Sequence, residues 1–217
     1  MKMKNLNKIV IASLVLTIGA FTKTQAQDAI SKPATIGFKG GVNFSNLYSD
    51  SVDDENVLTG FNAGLYAKFP VTKSFAIQPE IYYTTKGAEQ TYNNAFANGV
   101  AKFNVNYIEV PVLAVINLTE NFNIHAGPYA AYMVSGKTTN DSNFSSSQTT
   151  LDTNDFERFD AGIAAGIGLD FELLSFGVRY NYGLTKIGKE RNFGGTTYTY
   201  PDAKNSVLNF YIGLALN

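Results

Sequence analysis

No cysteine occurs in this chain, and histidine occurs once, at His125. Disulfide scaffolds are therefore excluded, and so are zinc sites built from cysteine and histidine. After residue 21 no apolar run is long enough to cross a bilayer as a helix. Sustained helical periodicity is absent as well. What remains is rich in Gly, Asn, Thr and Tyr, and it alternates at period two over many short segments. The length suits one domain, and the pattern points to an all-β chain.

Positive charge is concentrated at the start. Lys2, Lys4 and Lys8 precede an apolar run from Ile9 to Phe21, and Thr24-Gln25-Ala26 follows with small residues where a signal peptidase reads. These features predict a secretory signal peptide over 1–26 and a mature domain over 27–217. Removing the signal's four lysines from the 17 basic residues leaves 13 against 18 acidic ones, a net charge of −5. A nucleic-acid partner needs a basic footprint, which this chain lacks.

Eight alternating segments follow the signal, at 34–47, 58–70, 75–86, 105–117, 122–135, 159–171, 175–184 and 206–216. The segment FAIQPEIYYTTK, 75–86, shows the pattern. Phe75, Ile77, Pro79, Ile81 and Tyr83 share one parity, whereas Gln78, Glu80, Tyr82, Thr84 and Lys86 share the other. The same division holds in all eight segments. The central five positions of the apolar parity carry no charge and no amide anywhere. The opposite parity carries Lys39, Lys68, Glu80, Glu109, Asp160 and Arg179, together with most of the strand glycines.

Three features turn the apolar parity towards lipid. The polar parity is glycine-rich with few charges, which suits a narrow, filled lumen better than a wet surface. Connections alternate between short (71–74, 119–121, 172–174) and long (48–57, 87–104, 136–158, 185–205), as in outer-membrane barrels. Aromatics such as Phe44, Phe61, Phe75, Tyr83, Phe122, Tyr132, Phe159 and Phe171 sit at strand ends, where interfacial girdles belong. The expected fold is an eight-stranded antiparallel up-and-down transmembrane β-barrel. An eight-stranded barrel is just wide enough for its own side chains. Charges confined there must pair. Lys39, Lys68 and Arg179 are thus expected to meet Glu80, Glu109 and Asp160 in a plugged lumen. Arg179, with its planar fork, is the expected two-point partner of Glu80 or Glu109. Lys86 lies inside too or at the outer rim.

The ordered set GFKGGVNFSNL, IQPEIYYTTKG, NYIEVPVL, AGPYAAY and VRYNYGLT resembles the outer-membrane β-barrel domain family of Gram-negative bacteria, often called porin family or PorT-like. The resemblance runs over essentially the whole mature chain. It implies an eight-stranded barrel in the outer membrane and names no activity.

Other motifs have weaker chemistry. His125 is the only imidazole base available to a barrel enzyme. It lies roughly 7–10 Å above the inner rim, at the end away from surface substrates, so a lumen hydrogen-bond role is expected. Glu80 and Glu109 resemble a hydrolase carboxylate pair, but a filled lumen has no room for a sugar. AGIAAGIGLD, 161–170, lacks the Lys-Ser/Thr and helix of a phosphate loop, so its glycines make space. LDTNDFE, 151–157, lacks the spacing of a calcium loop. No cofactor, metal or catalytic residue is expected. The expected state is a monomer in outer-membrane lipid, with a structural or surface-interaction role. Any extracellular ligand or protein would meet the loops 87–104, 136–158 and 185–205, the last carrying Tyr198, Tyr200 and Pro201. A small passive pore, or an accessory of secretion or gliding machinery, are the alternatives.

Overall fold

The computed structural model describes residues 33–48, 57–93, 98–143, 145–193, 196–200 and 203–216, without the side chains of 93 and 190–200. The expected signal peptide lies outside the described residues.

Eight strands form the barrel: β1 (Thr35–Tyr48), β2 (Leu58–Pro70), β3 (Phe75–Asn93), β4 (Asn98–Asn117), β5 (Phe122–Ser142), β7 (Phe159–Asp170), β8 (Leu174–Gly183) and β11 (Lys204–Ala215). Three short strands, β6 (Ser146–Thr150), β9 (Lys189–Phe193) and β10 (Thr196–Tyr200), lie in the long connections. Barrel neighbours in sequence are antiparallel neighbours in space, and β1 pairs with β11 while β4 pairs with β5, so the ring closes. Each strand of the sequence reading is present at its expected place.

Side-chain alternation sets the two faces. Ile36, Phe38, Val42, Phe61, Leu65, Ile81, Ile163, Ile167, Phe210 and Ile212 are exposed on the outside. Lys39, Asn43, Glu80, Tyr82, Glu109, Asp160 and Arg179 are buried inside. The usual arrangement of a soluble protein is inverted, as lipid requires. At the strand ends, Phe61 packs on Tyr83 and Phe44 on Phe210, with ring centroids 6.0 and 5.9 Å apart. Short connections lie at one end, between β2 and β3, β4 and β5, and β7 and β8. By the rule for outer-membrane barrels that end is periplasmic.

One difference from the sequence reading matters. The segment 87–104, read as a loop, is mostly strand. β3, β4 and β5 are 19, 20 and 21 residues long, whereas a tilted strand needs about 9–11 to cross. Their outer parts pair with one another, and β6 adds to β5. At ~3.3 Å per residue and ~45° tilt, roughly eight extra residues carry this sheet about 20 Å past the rim. One face carries Glu89, Thr91, Lys102 and Thr139, and the other mixes Ala88, Ala101 and Phe103 with Gln90 and Asn140, so no strict apolar parity betrays it in sequence. Glu89 and Lys102 form a cross-strand ion pair there at 3.1 Å, and the Tyr92 hydroxyl donates to Asn140 Oδ1. Two irregularities mark the departure. The β4–β5 register shifts at Asn106/Tyr107, a bulge of the kind found at barrel rims. Gly87 has φ +148°, a backbone state that only glycine enters readily.

Candidate functional site

The polar lumen is the site that the fold builds. Counting round the ring, β2 stands opposite β7, β3 opposite β8, and β4 opposite β11. Each of these opposed pairs is joined across the lumen by side chains, at three successive heights.

Nearest the periplasm, the Lys68 ammonium on β2 donates to Asp170 Oδ2 on β7 at 2.7 Å, and to Asn117 Oδ1 at 3.3 Å. In the middle, Glu80 on β3 takes a two-point contact from Arg179 on β8, with Nη1 donating to Oε2 and Nη2 to Oε1. Glu80 Oε1 also accepts from Lys39 at 2.7 Å and from Gln78 at 2.6 Å. Higher up, the Lys86 ammonium sits 2.7 Å from Glu109 Oε2 and 3.0 Å from Asp160 Oδ2. Asp160 also accepts from Asn205, Thr185 and Tyr129. Asn205, on β11, reaches the Tyr107 hydroxyl on β4 at 3.5 Å.

The heights are connected. Asn123 donates its amide N–H to Asp170 at 2.9 Å, which turns Asn123 Oδ1 towards His125 Nδ1, 3.1 Å away. Nδ1 is then the donor, and Nε2 is left to accept from Arg179 Nε at 3.4 Å. Both nitrogens of His125 are thus occupied, Nδ1 by Asn123 and Nε2 by Arg179. Above Glu80, Asn43 donates to Thr84 and accepts from Asn62 and Asn209. The charges follow from these pairings. The lowest height is neutral, the middle carries two cations and one anion, and the upper carries one cation and two anions. Middle and upper heights offset each other.

Tyrosine rings fill the space between the ion pairs. Lys39 Nζ lies 4.7 and 4.5 Å from the ring centres of Tyr66 and Tyr211, and Lys86 Nζ lies 5.2 and 4.5 Å from those of Tyr107 and Tyr129. Cation–π attraction holds these pairs. Several large inward groups have a glycine directly across the ladder. Tyr66 faces Gly37, Tyr82 faces Gly64, Tyr129 faces Gly162, Tyr211 faces Gly177, and His125 faces Gly166. A Cβ on Gly162 would stand 2.6 Å from the Tyr129 ring, and one on Gly166 2.7 Å from His125 Nε2. This is the space that the glycines of 161–170 make.

The structure thus places Lys39, Glu80 and Arg179 together, Glu109 and Asp160 together, and Lys68 apart from both groups. Two members lay outside the predicted ion-pair set. Lys86, 1% exposed, is the hub of the upper cluster, and Asp170 is the partner of Lys68. Parity pointed to both, since Lys86 alternates with Glu80 and Asp170 with Asp160. Glu80 and Glu109 serve different cations. In LDTNDFE, Asp152 caps a short 3-10 turn (Thr153–Asp155) by accepting from Asn154 N–H. Tyr198, Tyr200 and Pro201 lie outside what is described of side chains. An apolar groove of about 590 Å³, lined by Val42, Ile167, Phe176, Phe210 and Ile212 among others, is bordered by none of the ion-paired residues.

Comparison with known proteins agrees with this architecture. The model of the outer membrane protein beta-barrel domain matches residues 25–188. The chain belongs to that family. Its place is accordingly the outer membrane. Among solved structures, the family member described here is similar to Ail, the attachment invasion locus protein of Yersinia pestis, in complex with the heparin analogue sucrose octasulfate. That likeness has a TM-score of 0.47 at 16% identity, over 85% of this chain and 100% of that one. It is also similar to Neisserial surface protein A, with TM-score 0.47, 13% identity and 84% and 99% coverage. For OprG of Pseudomonas aeruginosa the values are 0.33, 11%, and 84% and 91%. No match was found among the curated proteins.

Proposed function

We propose that the protein is a non-enzymatic outer-membrane barrel, closed by its own ion pairs, whose role is structural or one of surface interaction. The observation that carries this reading is the set of three contacts spanning the lumen, Lys68–Asp170, Glu80–Arg179 and Tyr107–Asn205, with tyrosine rings stacked between them. A solute passing through would have to part all three. The buried lumen charges are paired with one another, and both ring nitrogens of His125 are hydrogen-bonded, which supports the non-enzymatic reading. Function then belongs to what stands beyond the rim, chiefly the β3–β6 sheet. Release of a small sugar from proteoliposomes tests this: vesicles carrying the protein should retain the sugar as empty vesicles do. Release at the rate of an open pore would instead make solute diffusion the function.

A further inference from the structure

The sheet beyond the rim ends at β6. In the order β3–β4–β5–β6, the far side of β6 has no ladder partner among the described residues. The phase of its hydrogen bonds follows from the two ends of the β5–β6 pair. Ser142 N–H donates to the Ser145 carbonyl, and Leu151 N–H donates to the Gly136 carbonyl. Hydrogen-bonded pairs alternate along an antiparallel ladder. Ser147 and Thr149 therefore bond inward to β5, and Ser146, Gln148 and Thr150 turn their N–H and C=O groups to the open side. All five side chains of β6 are exposed.

Open edges are normally blunted by a charge, a proline or a bulge. The run Ser145–Leu151 carries no charge, proline or glycine. The opposite edge of the same sheet, β3, does carry a charge, Glu89, which is paired with Lys102. Charge next to β6 comes instead from β5. Lys137 lies opposite Thr150 and Asp141 opposite Ser146, so the two share one face, four residues apart. Both are exposed, and neither has an ion-pair partner among the described residues.

We propose that β6 is the docking edge for an extended segment of another protein, which joins the outer sheet as an added strand with an acidic side chain reaching over Thr150 towards Lys137 and a basic one reaching over Ser146 towards Asp141. Main-chain bonds to Ser146, Gln148 and Thr150 supply attachment, and the two charges select the segment. The proposal rests on the surface-interaction reading and names the kind of partner.

The test uses the full mature chain in lipid nanodiscs and seven-residue Thr/Val peptides. One peptide has Glu and Lys four positions apart, and its controls have Glu twice or Lys twice. The mixed peptide should bind a few-fold more tightly than either control. Gln148→Pro removes an outward N–H, which an edge strand tolerates, and should weaken binding about tenfold or more while leaving the barrel's thermal unfolding unchanged. Equal binding to wild type and Q148P overturns the edge, as does no binding to the intact wild type. Self-association of the wild type abolished by Q148P also overturns it, since the occupant is then a second copy. Binding that survives Q148P but is lost when the outer segments are shaved by protease removes the edge and leaves the surface-interaction reading standing.

Discussion

Arg179 and Glu80 meet from diametrically opposite strands, 99 residues apart in the chain, by a two-point contact at the centre of the barrel. Lys39 shares the same carboxylate, and His125 holds the guanidinium from behind. Lys86 has the inverse arrangement, one cation between two carboxylates. The two clusters therefore respond differently to loss of a lysine.

Lys86→Met should be the more damaging of the two lysine replacements. It leaves Glu109 and Asp160 buried with no cation between them, which costs about 3–5 kcal/mol. Lys39→Met leaves Glu80 with Arg179 and should cost roughly 1–3 kcal/mol. Reversible urea unfolding in lipid vesicles measures both. An equal or reversed order contradicts the assignment of partners.

Glycine at the lumen face is needed for space. A Cβ on Gly177 would lie 2.3 Å from the Tyr211 hydroxyl and 2.6 Å from the Ile167 carbonyl oxygen. Gly177→Ala should destabilise by about 1–3 kcal/mol. Gly40 faces lipid, and its Cβ would meet nothing nearer than the Asn62 carbonyl oxygen at 3.3 Å. Gly40→Ala should stay within about 0.5 kcal/mol of wild type in the same assay.

The lipid face predicts the converse of a soluble surface. Ile163 is 53% exposed midway along β7. Ile163→Arg should lower stability in a bilayer by about 2–4 kcal/mol. On a water-facing strand the same change would be nearly neutral, so a neutral result contradicts the orientation of the faces.

How much of this the sequence disclosed depends on one physical signal. Period-two alternation against lipid is strict, so the eight strands and the inward side of Glu80 and Arg179 were legible from Phe75-Ala76-Ile77 and its equivalents. Beyond the rim no solvent differs between the two faces. The outer parts of β3, β4 and β5 therefore read as loops, although they pair as strands. Pairing partners were hidden for another reason: register comes from the ladders, and one sequence does not display them. Lys68 thus joined Asp170 rather than a glutamate, and Glu109 was held by Lys86. The lumen glycines were visible as composition, but not as the pairs Gly37–Tyr66 and Gly162–Tyr129.

The most direct test of the closed lumen is single-channel conductance of residues 27–217, refolded and inserted into a planar bilayer, with Arg179→Ala measured beside wild type. The wild type should show no steady conductance, and Arg179→Ala should add only brief openings, because Lys68–Asp170 and Tyr107–Asn205 still cross the lumen. A steady, reproducible conductance from the wild type would contradict the account and make passage of ions the leading function.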